Sequence, residues 1–184
     1  PGLQPGRSCL PKTHQVRAYN PFQDTTTQPF RENRRSSTMA TTTAEVNGTT
    51  TPNDWTLAAG VSKQAAVNSP DDDATSYIDS SNTNGMVQTF TVAPTLNQGD
   101  TITQIDINVR AKRGGTLDAN YVVGYSFTPQ GGGTQTGQST AFTAGTNWNS
   151  STFTDPALSV PWGSDLTVNV RNTQGRRVLV TTLN

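Results

Sequence analysis

Thr101-Ile102-Thr103-Gln104-Ile105-Asp106-Ile107-Asn108-Val109-Arg110-Ala111-Lys112 decides the fold class: Ile105, Ile107, Val109 and Ala111 alternate with Asp106, Asn108, Arg110 and Lys112. Successive side chains of a strand point to opposite faces, so this period of two predicts a strand with one buried and one wet face. The pattern recurs in both directions. Leu117 to Phe127 places Ala119, Tyr121, Val123, Tyr125 and Phe127 on one side, and Leu166, Val168 and Val170 repeat it later. Shorter candidates are Met86–Val92, Trp148–Thr154 and Val178–Leu183. Between them stand Asn47-Gly48, Asn84-Gly85, Gly99-Asp100, Gly114-Gly115 and Gly131-Gly132-Gly133, which supply positive φ at low steric cost and are expected to be turns.

No helical pattern of ten or more residues interrupts these runs. Clean alternation with tight turns predicts an all-β domain, an antiparallel β-sandwich of the jelly-roll kind. The periodicity runs to the final residue, so the last strand is either a sheet edge or one cut short at Asn184.

The zero net charge of the 184 residues conceals two differently composed segments. Six basic residues face two acidic ones before Met39 (+4), and the remaining seven face eleven (−4). The first 38 residues hold five prolines, the lone Cys9 and the lone His14, with no apolar run that could serve as a secretory signal. Met39-Ala40-Thr41 reads as a translation start. Residues 1–38 are therefore expected to be upstream read-through or a disordered basic leader, the alternative being a genuine arm, and residues 39–184 a single sandwich domain.

That body contains no histidine, no cysteine and a single glutamate, Glu45. Those residue types supply most general bases, nucleophiles and transition-metal ligands, so the inventory argues against an enzyme. Asp106, Asp118, Asp155 and Asp165 could in principle form an acid pair, but nothing in the sequence singles out two of them, and turn or surface roles are expected. Gly131-Gly132-Gly133 lacks the Lys-Ser/Thr of a phosphate loop. The basic patches Arg110/Lys112/Arg113 and Arg176/Arg177 lack interleaved aromatics, which leaves solubility and edge protection as their expected roles, with no nucleic-acid partner expected. No apolar span suggests a membrane.

Two binding constellations remain. Clustered carboxylates could hold Ca²⁺, a hard cation taking six to eight oxygens, with Asp71 and Asp73 joined by Asp79 and backbone carbonyls. Against this, adjacent residues of an extended chain point apart, and Ser69-Pro70-Asp71-Asp72-Asp73 also reads as a turn with Asx-type bonds. Aromatic rings could stack on sugars while amides bind hydroxyls. Trp55 and Trp162 are expected in the core; Trp148, flanked by Asn147 and Asn149, is the candidate platform.

The stretch Pro70-Asp71-Asp72-Asp73-Ala74-Thr75-Ser76-Tyr77-Ile78 resembles the PDDDxTSYI segment of small β-sandwich modules in tailed-phage virion proteins, a largely uncharacterised family. Gln98–Ile105 followed by Val109-Arg110-Ala111 is similar to that family's GxTItxVxvxxra strand. Phe153-Thr154-Asp155-Pro156, with Trp162 ahead of Leu166–Arg171, is similar to its ending. The likeness covers most of residues 53–184. It departs at Gly163-Ser164, where the family has Thr after the late Trp, and at the absence of a following Val/Tyr strand beyond Asn184. The resemblance implies a non-enzymatic virion component, a capsid decoration, tail or fibre module, that self-associates or packs on other virion proteins. The rival expectation is a carbohydrate-binding module of a phage or bacterial surface protein, with a host surface glycan as partner.

Overall fold

The computed structural model describes residues 40–68 and 75–184, with Ala40–Asn184 forming one compact unit. Residues 1–38, with Cys9 and His14, and the carboxylates Asp71 and Asp73 lie outside the described residues. In chain order the elements are β1 (Val46–Asn53), β2 (Thr56–Ala59), α1 (Lys63–Asn68), β3 (Tyr77–Asp79), β4 (Val87–Val92), β5 (Thr101–Ile102), β6 (Ile105–Arg113), β7 (Ala119–Thr128), β8 (Gln135–Gln138), β9 (Phe142–Ala144), β10 (Asn149–Asp155), β11 (Val160–Pro161), β12 (Ser164–Asn172) and β13 (Val178–Leu183).

The strands form two main antiparallel sheets. One runs β1-β4-β12-β7-β8, with β9 also on β7; the other runs β10-β6-β13-β3-β2; β11 and β5 make a small third pair. Strands near in sequence fall in opposite sheets: β3 then β4, β6 then β7, β12 then β13. The chain thus crosses between layers, as in a jelly-roll sandwich. The core between the sheets is filled by Phe90, Tyr121, Val123, Tyr125, Phe127, Val168 and Val170 from one and Ile78, Ile107, Val109, Ala111, Val178, Val180 and Leu183 from the other. Trp55 and Trp162 join it as expected, at 1% and 7% exposure. Trp55 Nε1 donates to the Met86 carbonyl, which satisfies its one polar atom.

Several local expectations change. Leu117 stands outside β7 and is exposed. Asn47-Gly48 is not a turn: Gly48 sits in β1 at an irregularity in its pairing with β4, where a Cβ would come 2.7 Å from Thr91 Oγ1. At Gly163, where the phage modules carry Thr, a Cβ would overlap the Thr128 carbonyl oxygen, so the close approach of β7's end excludes any side chain. The last strand, β13, is not an edge; it lies between β6 and β3. Its register slips between Val180 and Thr182, which brings Val180 and Leu183, three apart, into the same interior.

One end of the sandwich is tied by a buried polar knot. Asn172 is fully buried; its Oδ1 accepts from the Met86 N–H at 2.9 Å and its Nδ2 donates to the Thr83 carbonyl at 2.7 Å. Ser80 Oγ accepts the Val178 N–H at 2.9 Å beside it. The loop after β3 is thereby joined to the ends of β12 and β13, and both ends of the Asn172 amide are hydrogen-bonded.

Candidate functional site

Register builds a row of residues across the solvent side of the β10-β6-β13-β3-β2 sheet. Lys112 pairs with Leu179, Leu179 with Asp79, and Asp79 with Thr56. Trp148 immediately precedes β10, whose first residue Asn149 is registered on Ala111, so the indole extends the row beyond Lys112. Tyr77, two residues before Asp79, shares its face. The Trp148 and Tyr77 rings meet at 6.3 Å between centroids, tilted by 59°, and Lys112 Nζ stands 4.6 Å from the Trp148 ring centre. An ammonium over an indole face is attracted by the ring quadrupole. Trp148 is half-buried, and its Nε1 is buried without a hydrogen-bond acceptor among the described residues. Its ring is packed against Tyr77 and Lys112.

The remainder of this face is polar and internally matched. Arg110 donates to Ser150 Oγ at 3.2 Å, Thr152 Oγ1 donates to Asn108 Oδ1 at 2.8 Å, and Gln104 Nε2 donates to Asp106 at 2.8 Å. Leu179 is only 7% exposed although it stands on the solvent side. The side chains around it already form a covered patch.

The sequence candidates separate. Asn147 and Asn149 are both exposed, but Asn149, registered on inward-facing Ala111, belongs to the opposite side of the sheet from Trp148. Asp79 accepts a forked contact from Arg177, with Nε at 3.2 and 3.1 Å from its two oxygens, and its Oδ1 accepts the Ser81 N–H at 2.9 Å. The hydrogen bond and charge of Asp79 raise the Arg177 pKa above its ordinary value. Among the described residues no three His, Cys, Asp or Glu side chains gather into a metal-holding group. The basic patches are structural ties: Arg176 donates to the Asp118 carbonyl at 2.7 Å, and Arg113 pairs with the Asp118 carboxylate at 2.9 Å. No described helix is long and apolar enough to cross a membrane.

Sequence reasoning missed a second arrangement inside the sandwich. Asp155, expected in a turn or at the surface, ends β10 pointing inward, where the Tyr125 hydroxyl donates to its Oδ2 at 2.5 Å. Four residues earlier on β7, burial raises the Tyr121 phenol above its ordinary value, with Ser151 of β10 opposing the shift. Burial, followed by the Asp155 hydrogen bond, pushes the Tyr125 phenol up to about 12. The Tyr125–Asp155 hydrogen bond ties β7 to β10 across the layers. Asp155 is thus held by a neutral phenol.

No protein-family model and no curated protein matches the chain. Among solved structures it is similar to the module pair of Clostridium thermocellum endo-1,4-β-D-xylanase 10B, a family 22 carbohydrate-binding module with its catalytic module, complexed with xylohexaose. The identity is 11% and the TM-score 0.44, over 71% of this chain and 25% of that one. The xylan-binding family 22 module of a Paenibacillus barcinonensis xylanase is similar at 15% identity and TM-score 0.38, over 77% of this chain and 90% of that one. The enzymatically active domain of tailspike protein 4 of bacteriophage CBA120 is similar at 14% identity and TM-score 0.39, over 77% of this chain and 18% of that one. The chain therefore spans a quarter or less of the xylanase and tailspike structures. At these values the likeness reaches no further than the β-sandwich architecture that the strand order already displays.

Proposed function

We propose that this chain is a non-catalytic, sugar-binding β-sandwich module, with its ligand lying on the solvent side of the β10-β6-β13-β3-β2 sheet against Trp148. The observation that carries this reading is the division among the three tryptophans. Trp55 and Trp162 are core residues, whereas Trp148 stands half-exposed on the outside of a sheet, beside Tyr77 and Lys112. Indole and phenol rings on a polar surface suit the apolar faces of pyranose rings, and the neighbouring Arg110, Ser150, Thr152 and Asn108 offer donors and acceptors for hydroxyls. The absence of His and Cys from the body supports the non-catalytic part of the reading.

The setting that the PDDDxTSYI resemblance supports is a tailed-phage virion, where the module would sit among other structural proteins and meet a host surface glycan. Ca²⁺ has no role in this reading. A glycan array probed with the full chain tests it, followed by titration of the best ligand against Trp148→Ala. Replacing the ring removes its stacking surface and is expected to weaken binding by at least tenfold, while Trp148→Phe, which keeps a flat ring, retains part of it. Failure of the chain to bind any glycan, or binding unaffected by Trp148→Ala, refutes the proposal.

A further inference from the structure

We propose that β10 is a self-pairing edge, through which two copies of this chain join their five-stranded sheets into one continuous ten-stranded sheet. A strand at the end of a sheet presents unpaired N–H and C=O groups, and natural proteins shield such edges with prolines, bulges, charged side chains or brevity. Three of the edges here carry such devices. β1 contains Pro52 and has register shifts near both ends. β2 has four residues and a register shift. β8 and β9, which flank β7, have four and three residues.

The edge at β10 is neither short nor interrupted, and its one charged side chain, Asp155 at the far end, is held by the Tyr125 hydroxyl. Its seven residues, Asn149-Ser150-Ser151-Thr152-Phe153-Thr154-Asp155, pair with β6 in unbroken register, without proline, bulge or lysine. No other described strand or loop takes the backbone groups on its outer side. Its inward side chains Ser151, Phe153 and Asp155 stay only half-buried, so an adjoining strand would also cover Phe153.

The occupant that fits is the same strand turned through a two-fold axis. Full antiparallel overlap centres on Thr152 and sets Asp155, the only charged residue of β10, opposite Asn149 of the second copy. No like charges meet, Thr152 faces Thr152, and Ser150 faces Thr154. Thr-rich cross-strand pairs of this kind are favourable, and an isologous two-fold contact closes without leaving a free edge on β10. The pairing would place the two Trp148 residues at opposite ends of the joined strands, roughly 27 Å apart at about 3.4 Å per residue, and on one face. Two weak surface sites would then act together on a repetitive ligand. The dimer itself does not depend on the sugar reading.

Analytical ultracentrifugation of the full chain from about 10 μM to about 1 mM tests the pairing, a range suited to an interface smaller than the ~1,000 Å² of stable complexes. A reversible monomer–dimer equilibrium is expected. Thr152 is exposed, and Thr152→Lys puts two ammonium groups face to face at the axis, so its dimer dissociation constant should rise at least tenfold; Thr152→Glu should act alike. An equimolar mixture of the two variants should recover a heterodimer, which neither misfolding nor a different interface would produce. A chain that remains monomeric throughout, a dimer indifferent to both variants, or a mixture that stays monomeric overturns the proposal.

Discussion

β6 and β10 are neighbours in one sheet, yet their inward faces follow different chemistry. On β6, Ile107, Val109 and Ala111 are each about 1% exposed, because β10 and β13 flank the strand and the other sheet covers it. One strand spacing away, the inward positions of β10 are Ser151, Phe153 and Asp155, half-buried and partly polar. The opposite sheet meets Asp155 with the hydroxyl of Tyr125. A strand covered on both flanks can be dry. An edge strand cannot, so its inward polar groups must be hydrogen-bonded. The sandwich is closed by apolar packing along its middle and by the Tyr125–Asp155 hydrogen bond on its β10 side.

The largest effect should come from forcing β10's chemistry onto β6. Ile107→Asp places a carboxylate where no donor waits and removes a well-packed side chain, at a cost of about 4 kcal/mol or more. Domains are typically stable by only about 5–15 kcal/mol, so the variant should be largely unfolded or melt far below the parent. Urea denaturation followed by tryptophan fluorescence measures this. A midpoint near that of the parent would show that β6 is not the dry centre of the sheet.

Removing the phenol hydrogen bond should cost less and should show itself in pH. Tyr125→Phe keeps the ring that stacks with Phe127 and Phe153 but leaves the Asp155 carboxylate without its donor, worth about 1–2 kcal/mol. The Tyr125 phenol lies at about 12 in the folded protein against an ordinary value of 10.0. The unfolded chain therefore releases this proton first. The associated stability is complete below about pH 10 and is lost as pH rises toward about 12. Tyr121, also raised by burial, titrates in the same direction in both proteins. Denaturation midpoints of the parent should fall more steeply over that interval than those of Tyr125→Phe. Parallel curves would show that the Tyr125–Asp155 contact does not contribute to alkaline stability.

The same contrast explains what could be read from the chain. On β6 the two faces differ in chemical type, so period two reveals both the strand and its inside. On β10, Ser150, Thr152 and Thr154 alternate with Ser151, Phe153 and Asp155, and both sets are mostly polar, so spacing cannot say which faces in. For that reason Asp155, directly before Pro156, reads as a turn or surface residue. β1 and β2 escaped notice because Thr-, Asn- and Ala-rich strands lack apolar contrast, and the six-residue α1 is too short to show a helical period. The core roles of Trp55 and Trp162 were legible. The partner of Trp148 was not: Tyr77 stands 71 residues earlier, and only the strand order β10-β6-β13-β3 brings it close. Its sequence neighbours Asn147 and Asn149 were the visible candidates, but in an extended chain adjacent residues face apart.

The smallest effect tests the outer side of the same strand. Asn108, next to Ile107, is exposed, and its Oδ1 accepts from Thr152 Oγ1 at 2.8 Å. Asn108→Asp preserves that acceptor and adds one charge in water, with Arg110 two residues one way and Asp106 two residues the other on the same face. The two neighbours oppose each other, and exposed charges interact weakly in any case. The change in stability should stay within about 0.5 kcal/mol. Its melting temperature and urea midpoint should therefore overlay the parent's, one position away from a substitution that unfolds the domain. A loss approaching that of Ile107→Asp would mean that this face is covered by another part of the chain or by a second copy, and the boundary between dry and wet faces of β6 would have to be redrawn.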